Sequence, residues 1–307
     1  MKFLPKIFLI LLFIAFSFQQ GRTQNNIASD TVHLNKKRLY SVIAAEALTV
    51  GGSLYLLNNL WYKDYPRSSF HFFNDNKEWL QMDKLGHATT SCTIGALGYY
   101  SLKWCGVENK KAIWYGGGLG SVYLLTIEVL DGLSSEWGFS LGDFTANTFG
   151  SFVFMSQQLA WNEQRIIFKW SYHNTKFADI RPDLLGSNLQ ESVLKDYNGQ
   201  TYWLSGNIHS FMKKDSRFPK WLNVAIGYGA EGMIGGYENP SVHDGVIMPE
   251  YNRYRQFYLS PDIDFTRIPT KSKFLKLLFY SLDFIKIPAP TLGFSKENNF
   301  RFHLLYF

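Results

Sequence analysis

Cysteine and charged residues are both scarce in this sequence of 307 residues. The two cysteines, Cys92 and Cys105, fall in one apolar segment of helical composition. A helix through both would hold them roughly 20 Å apart at about 1.5 Å per residue. Because a disulfide cannot bridge that distance, we expect two free thiols. The sequence also lacks a Cys-x-x-Cys pair with nearby histidines, so we expect no zinc site.

Charged residues make up only 18% of the chain, whereas aromatic residues make up 17% and apolar residues 46%. This balance is typical of a membrane or envelope protein and disfavours a soluble cytosolic enzyme. The net charge of +6 includes Lys2, Lys6 and Arg22, and no acidic residue offsets them within the first 24 positions. Without these three the net charge is +3, which is too small to indicate a nucleic-acid partner.

Residues 1–24 have the organisation of a secretory signal peptide. Lys2 and Lys6 precede an apolar run, Ile7 to Phe18, that is too short to span a bilayer. An uncleaved membrane anchor is the alternative. No cysteine lies near this segment, so the sequence predicts no lipid attachment there. We therefore expect an exported protein, periplasmic or associated with the outer membrane of a Gram-negative-type envelope, whose residues 25–35 form a polar lead-in.

Residues 36–162 are predicted to form an up-down bundle of about four apolar helices. Each apolar run has about the length of a membrane span and contains almost no charge. Lysines such as Lys36 and Lys37 lie at one end of the bundle, and the positive-inside rule would place that end in the cytoplasm. Export of the chain would place the same end outside the cytoplasm. Because these two expectations conflict, we do not expect an ordinary inner-membrane bundle. Gly116 and Gly120 have the GxxxG spacing of a close helix contact. The four runs are Arg38–Tyr62, Leu85–Trp104, Ala112–Leu130 and Phe144–Trp161.

Residues 163–307 are predicted to be strand-rich, which makes the whole chain an α+β protein. Short alternating runs of β-branched and aromatic residues are separated by Gly, Pro and Asn. The segment 271–286 instead indicates one amphipathic helix, which either packs on a sheet or lies on an anionic membrane surface. Alternation at the C-terminus predicts Phe300, Phe302, Leu304 and Tyr306 on one face. The strands are too few for a closed membrane barrel, which needs about eight.

Polar residues gather in two connections between the predicted helices. The first and third connections of an up-down bundle lie at the same end, so the segments 83–87 and 128–147 are expected to meet in space. The candidate catalytic residues are His87, Asp143, Asp83, Glu128 and Asp131, and the candidates for a ligand-binding or structural network are Lys84, Ser135, Ser140 and Asn147.

This polar group allows three interpretations. As an enzyme site, it would use His87 as the acid–base, Asp143 as its orienting or metal-binding partner, and Glu128 and Asp131 as electrostatic support. As a cation site, its carboxylate, Asn and Ser oxygens would hold a divalent ion, although no metal-ligand signature is present and no metal is assigned. As a structural network, it would fix the packing of the helices.

The structural interpretation also covers two local patterns. Asp83 could be the N-cap of its helix, with His87 four residues later on the same face. Ser140 and Asp143 fit the S-x-x-D capping box at the start of the next one.

The two polar segments together resemble a known family. "DKLGH" followed by "E..DG.S...GFS.GD..AN..G" resembles the YfiM-type family of bacterial envelope proteins, a domain of unknown function, and is faintly similar to VanZ-like membrane proteins. The resemblance covers about residues 80–155, implies no established activity and leaves any cofactor unknown. Short members of that family are lipoproteins, whereas this chain lacks the lipid-accepting cysteine. The matching residues are Asp83, Lys84, Gly86, His87, Glu128, Asp131, Gly132, Ser135, Gly138, Phe139, Ser140, Gly142, Asp143, Asn147 and Gly150.

We therefore expect an envelope protein that contacts membrane lipids, with a structural or ligand-binding polar site at one end of a helical bundle. The rival hypothesis is a membrane-proximal hydrolase or transferase that acts on a lipid or cell-wall substrate. An open cleft beside the polar residues would favour the enzyme, and a sealed, hydrogen-bonded cluster would favour the structural network.

Overall fold

The computed structural model describes residues 33–63, 65–213 and 215–306. The predicted signal peptide, most of the predicted lead-in and Phe307 lie outside these residues. Helices dominate the first half and antiparallel strands the second, which confirms the α+β class. The chain forms two compact units: the first comprises the described residues up to Asp75 with Thr90–Gln164, and the second comprises Asn76–Thr89 with Arg165–Phe307.

The first unit is built from long apolar helices. The predicted third helix is in fact two, because the helical path breaks at Gly118 between α3 and α4. Asp83 lies inside the first turn of α2, so its interpretation as the N-cap is wrong. The helices are α1 (Lys36–Leu57, extended by a π-helical turn, Asn58–Tyr62), α2 (Met82–Trp104, which begins in the second unit), α3 (Asn109–Gly117), α4 (Leu119–Gly132) and α5 (Leu141–Trp161).

Two helical stretches have the length and composition to cross a membrane. They are α1 and the stretch Asn109–Gly132, which includes both α3 and α4. Large apolar side chains such as Tyr40, Leu48 and Tyr55 are exposed along α1. Neither stretch therefore resembles the fully buried core helix of a water-soluble protein.

Glycines bring the backbones of neighbouring helices into direct contact in the first unit. A Cβ atom added to Gly98 of α2 would lie 2.7 Å from the carbonyl oxygen of Gly116 in α3. A Cβ on Gly120 of α4 would overlap the backbone of Ser91 in α2. The close helix contact predicted from the GxxxG spacing is thus confirmed, since only glycine allows these approaches.

The second unit is organised around a six-stranded antiparallel sheet. In the described part of the chain its strand order is β10-β9-β8-β5-β4-β3. Its strands are β3 (Ile166–Tyr172), β4 (Gln200–Asn207), β5 (Leu222–Glu231), β8 (Tyr254–Ile263), β9 (Ala289–Ser295) and β10 (Asn299–Tyr306). Smaller elements are the parallel pair β1 (Phe72–Phe73) and β2 (Phe139–Ser140) in the first unit, and in the second α6 (Phe177–Ile180), α7 (Pro182–Leu185), α8 (Leu189–Lys195), the hairpin β6 (Val242–His243) and β7 (Val246–Ile247), and α9 (Lys273–Leu282).

The sheet carries polar side chains on its buried face and apolar side chains on its exposed face. The sheet curls, so that its two edges approach each other. The ring of Tyr306, on edge strand β10, lies 5.8 Å from the ring of His173, which follows the other edge strand, β3. Inside the curl lie Lys169, Ser205, Asn207, Asn223, Ser260, Asp262 and Thr291, all buried. Outside it lie Leu204, Ile226, Phe257, Leu259, Leu292, Phe294, Phe300 and Phe302, all exposed.

A β-bulge changes the predicted alternation at the end of β10. His303 pairs with Thr291 and Tyr306 pairs with Ala289, so three steps on β10 oppose two on β9. Tyr306 therefore points into the curl, where its ring stacks 4.4 Å from that of Tyr258. Its predicted place beside Phe300 and Phe302 is wrong for this reason.

The other sequence predictions for the second unit are confirmed in part. Helix α9 lies inside the predicted amphipathic segment 271–286. The sequence predicts strands in the alternating runs 221–236, 254–268, 290–295 and 300–307, and these correspond to β5, β8, β9 and β10. Strand β3 was not predicted, and β4 appeared only as an aromatic segment. Cys92 and Cys105 are both buried free thiols, as predicted.

Candidate functional site

Ser140 is the centre of a buried polar cluster in the first unit. Its hydroxyl oxygen accepts the backbone N–H of Asp143 at 3.0 Å, which confirms the predicted cap of α5. The same hydroxyl donates to Asp75 at 2.6 Å, and the Ser140 backbone N–H donates to Glu128 at 3.3 Å. Two carboxylates and one backbone N–H thus converge on one serine, and only 1% of Glu128 and 5% of Asp143 is exposed.

The chain around Ser140 is held in place by a short parallel strand pair. Phe72 of β1 pairs with Phe139 of β2, and Phe73 pairs with Ser140. This pairing brings Asp75, two residues beyond β1, beside the first turn of α5. Gly138 makes the approach possible, since a Cβ there would lie 2.6 Å from the Cβ of Phe73.

Asn147 continues the cluster one turn farther along α5. Its side chain is completely buried, and its backbone carbonyl accepts hydrogen bonds from Ser91 at 2.6 Å and Ser121 at 2.8 Å. The hydroxyls of Ser91 and Ser151 lie 2.9 Å apart. These serines belong to α2, α4 and α5, so hydrogen bonds between hydroxyl and backbone groups join all three helices.

Asp131 and Ser135 lie near the cluster in the sequence but have their own surroundings. Asp131, in the last turn of α4, accepts a 2.5 Å hydrogen bond from the hydroxyl of Tyr62. Ser135 is exposed, and its backbone N–H donates to the carbonyl of Pro66 at 3.0 Å. Asp131 and Glu128 lie close to the negative end of the α4 dipole, which disfavours their charge. Each accepts a hydrogen bond from an uncharged donor, the Tyr62 hydroxyl or the Ser140 backbone N–H.

Asp83 is the centre of a second polar group, which belongs to the second unit. Its carboxylate accepts hydrogen bonds from the Tyr197 hydroxyl at 2.8 Å and from the Lys84 ammonium at 3.2 Å, and lies 3.8 Å from Nε2 of His87. Burial raises the pKa of Asp83, but His87, Lys84 and the Tyr197 hydrogen bond together lower it more. The pKa of Asp83 therefore lies below its usual range, and the carboxylate is ionised at neutral pH.

The Tyr197 hydrogen bond gives the first testable prediction. Tyr197→Phe is expected to lower the free energy of unfolding by about 1.5–3 kcal/mol at pH 7, because a charged acceptor loses a donor. Since the pKa of Asp83 is depressed in the folded state, its stabilisation is present above the ordinary pKa of about 3.9 and disappears as the pH falls. Urea unfolding at pH 7 and near pH 3 measures both values, and the loss should be smaller at the lower pH.

The control for Tyr197→Phe is Tyr251→Phe. The Tyr251 ring contacts Phe177 and Lys176, but its hydroxyl makes no hydrogen bond with a described residue. Its removal should leave stability almost unchanged at either pH. An equal loss for the two variants, or a Tyr197→Phe loss that grows towards pH 3, would contradict an ionised Asp83.

Several members of these groups were not predicted from the sequence. Asp75 and Tyr62 lie in and before a connection without periodic pattern, and Tyr197 is more than a hundred residues from Asp83. The only available signal for Asp75 was its place in the first helix connection, which was expected at the same end as the third. The two polar groups belong to different units, and the expectation that they share one site stays a prediction.

Comparison with known proteins gives one match. No curated protein and no solved structure matches the chain. The match supports an exported, periplasmic protein of the cell envelope, although both cysteines of this chain are buried in helical packing rather than near the N-terminus. Residues 71–156, which contain both polar groups except Tyr62 and Tyr197, match the model of a family described as "Predicted periplasmic lipoprotein (DUF2279)".

Proposed function

We propose that the Ser140 cluster is a structural network that holds together the helical unit of an exported envelope protein. The observation that supports this function is the burial of Glu128, Asp143 and Asn147, each at most 5% exposed, in helices joined by hydrogen bonds. A soluble substrate could reach these groups only after the helices separate. A network of this kind fixes one packing arrangement among several apolar alternatives.

The linings of two cavities in the described residues also agree with a structural role. A cavity of about 820 Å³ in the first unit is lined by residues such as Leu39, Glu46 and Leu119, and one of about 300 Å³ in the second by residues such as Tyr258 and Arg301. None of the candidate site residues lines either cavity. An enzyme site would normally border a cleft.

The amphipathic helix α9 supports association with a membrane surface. Phe274 and Leu278 are exposed on it, and Lys271 and Lys276 stand beside them. Apolar side chains flanked by lysines suit the interface of an anionic membrane. We propose the outer membrane as that surface, because the orientation of the charges disfavours an ordinary inner-membrane bundle.

The second candidate function is a membrane-proximal enzyme, and one observation favours it. Asp83 and His87 are only partly buried, and Asp83 is held by Tyr197 and Lys84 in a position to orient the imidazole. A carboxylate that orients a histidine is the arrangement of many acid–base sites. In this function His87 would be the acid–base towards a lipid or cell-wall substrate.

Two matched serine caps test the structural function. Ser140→Ala removes both a cap and the donor to buried Asp75, and should lower the free energy of unfolding by about 1–3 kcal/mol. Ser272→Ala removes only the exposed cap of α9, where the Ser272 hydroxyl oxygen accepts from Leu275 at 3.3 Å, and should change stability by about 0.5 kcal/mol. Chemical unfolding of both variants measures the difference, and equal effects would contradict a network at Ser140.

The same measurement separates the alternatives when Asp143→Asn and His87→Ala are included. Loss of stability in Asp143→Asn supports the network, whereas a gain in stability indicates a site kept at the expense of the fold. A stabilisation by Mg²⁺, Ca²⁺ or Zn²⁺ that disappears in Asp143→Asn would replace the network with the cation site. Combining Asp143→Asn with His87→Ala shows whether the two polar groups act together. If the groups are independent, the changes in the free energy of unfolding are additive.

A further inference from the structure

The exposed face of the six-stranded sheet carries apolar side chains in continuous rows. Leu204, Ile226, Leu259, Leu292 and Phe302 pair in register, so one exposed row crosses the five strands from β4 to β10. The row continues in register to Phe168 of β3, which is only 6% exposed. A second row contains Tyr228, Phe257, Phe294 and Phe300. At the centre of the first row Ile226 is 61% exposed, Leu259 48% and Leu292 52%.

The buried face has the opposite character. Lys169 and Asp262 are buried there with a 3.1 Å ion pair, beside Ser205 and Asn223. A small buried apolar cluster inside the curl contains Trp203, Ala225 and Tyr258, with Tyr306 packed against it. In water an antiparallel sheet places its apolar side chains on the buried face and its polar ones outside. In this sheet the arrangement is reversed, with polar side chains on the buried face and apolar side chains on the exposed face.

We propose that the exposed face of this sheet lies in the hydrocarbon of a lipid bilayer. Transfer of these Leu, Ile and Phe side chains from water to hydrocarbon is favourable by the hydrophobic effect. Most residues of β4 and β5 pair with a neighbouring strand on both sides, so their backbone groups are satisfied within the sheet, as the bilayer requires. Outward apolar and inward polar alternation is the pattern of strands in membranes.

Strand length and charge fit this occupant. Strands β5 and β8 have ten residues each, and a tilted strand needs about 9–11 residues to cross the hydrocarbon. The described strands place one charged residue on this face, Arg255, which lies at its end and donates to Gln81 at 2.6 Å. The middle of the face is therefore free of the charges that a bilayer excludes.

The opposite end of the sheet suits lipid headgroups. Exposed Phe211 and Trp221 flank the β4–β5 connection, where Lys213, Arg217 and Lys220 are also exposed. Helix α9, with its lysines and exposed Phe274, follows β8 at the same end. Aromatic and basic residues of this kind concentrate at the boundary between hydrocarbon and anionic headgroups.

A protein partner fits the same face less well. The exposed apolar rows continue around the outside of the curl from β4 to β10, so a partner would have to enclose most of the curl. Interfaces between proteins also place polar groups around an apolar centre, and here the exposed rows reach the edge strand β10 without them. A fluid hydrocarbon covers a curved apolar surface of any extent.

Spin labels on the sheet test the proposal in the full-length protein. Single cysteines replace Ile226, Leu259 and Leu292, and Gln190, an exposed polar position on α8, is the matched control. The protein is reconstituted in vesicles of phosphatidylethanolamine and phosphatidylglycerol, and collisions with oxygen and with a water-soluble nickel chelate are measured. Unsubstituted protein gives the background from the buried Cys92 and Cys105.

Labels in hydrocarbon should collide with oxygen and lose their collisions with nickel, whereas the label at position 190 should collide with nickel. Sheet labels that nickel reaches would overturn the proposal, because the face would then be in water. Labels shielded from both reagents would also overturn it, because a protein surface would cover the face. A protein that does not float with the vesicles would overturn it as well, because the face would then have no bilayer to enter. None of these outcomes depends on the Ser140 cluster.

Discussion

Asp262→Asn is expected to lower the free energy of unfolding by about 3–5 kcal/mol, the usual penalty for breaking a buried ion pair. Asp262 is buried inside the curled sheet, 3.1 Å from the Nζ of Lys169 and 3.8 Å from that of Lys286. Both lysines are at most 2% exposed, and the Asp262 carboxylate also accepts a 2.6 Å hydrogen bond from Ser205. Removing its charge leaves two buried ammonium groups with one carboxylate fewer.

Urea unfolding of the protein in detergent measures this loss, with the exposed Asp179→Asn as the matched control. The control should change stability by less than about 0.5 kcal/mol. Adding Lys169→Met to Asp262→Asn should recover part of the loss, because the uncompensated charge is then removed together with its partner. Equal effects at Asp262 and Asp179, or a double variant that is merely the sum of its parts, would exclude a coupled ionic interior.

Gly120→Leu is expected to lower the free energy of unfolding by about 3 kcal/mol or more, the upper end of the range for an overfilled core, because the added side chain would overlap a backbone. A Cβ atom at position 120 would overlap the backbone of Ser91, which cannot rotate away as a flexible side chain would. Helices α2 and α4 must therefore separate, and the serine hydrogen bonds to the Asn147 carbonyl would be lost with the contact.

Gly52→Leu is the matched control, since it makes the same change in the middle of α1. Apart from the adjacent backbone of α1 itself, no atom of the described residues lies within 4 Å of a Cβ built at Gly52. The helix propensity of leucine should therefore raise stability by about 0.5–1 kcal/mol. Chemical unfolding of the two variants should give effects of opposite sign, and a loss in both or in neither would contradict the packing described for Gly120.

The sequence predicted the parts of the fold that depend on local pattern. Apolar runs and their polar flanks located four helical regions, and the S-x-x-D pattern identified Ser140 as the cap of α5. The break at Gly118 was missed because the apolar composition continues through it. The bulge before Tyr306 was missed because alternation assumes an unbroken two-residue period.

The candidate site was predictable only where its members are close in the chain. Glu128, Ser140, Asp143 and Asn147 were identified from their concentration between apolar helices, and all four are buried. Tyr197 reaches Asp83 only through the tertiary fold, and no local pattern marks a hydroxyl that will meet a distant carboxylate. The inverted polarity of the sheet was present in the alternation, but which face would be buried depended on the pairing of all six strands.

The glycine contacts between α2, α3 and α4 bear on how this sequence can diverge. Exposed apolar positions of these helices can exchange one large side chain for another with little consequence, so drift there should be rapid. Gly98, Gly116 and Gly120 have no such freedom, because a neighbouring backbone occupies the space of their missing side chains. Distant relatives should therefore be recognisable by the spacing of these glycines long after the apolar residues around them have changed.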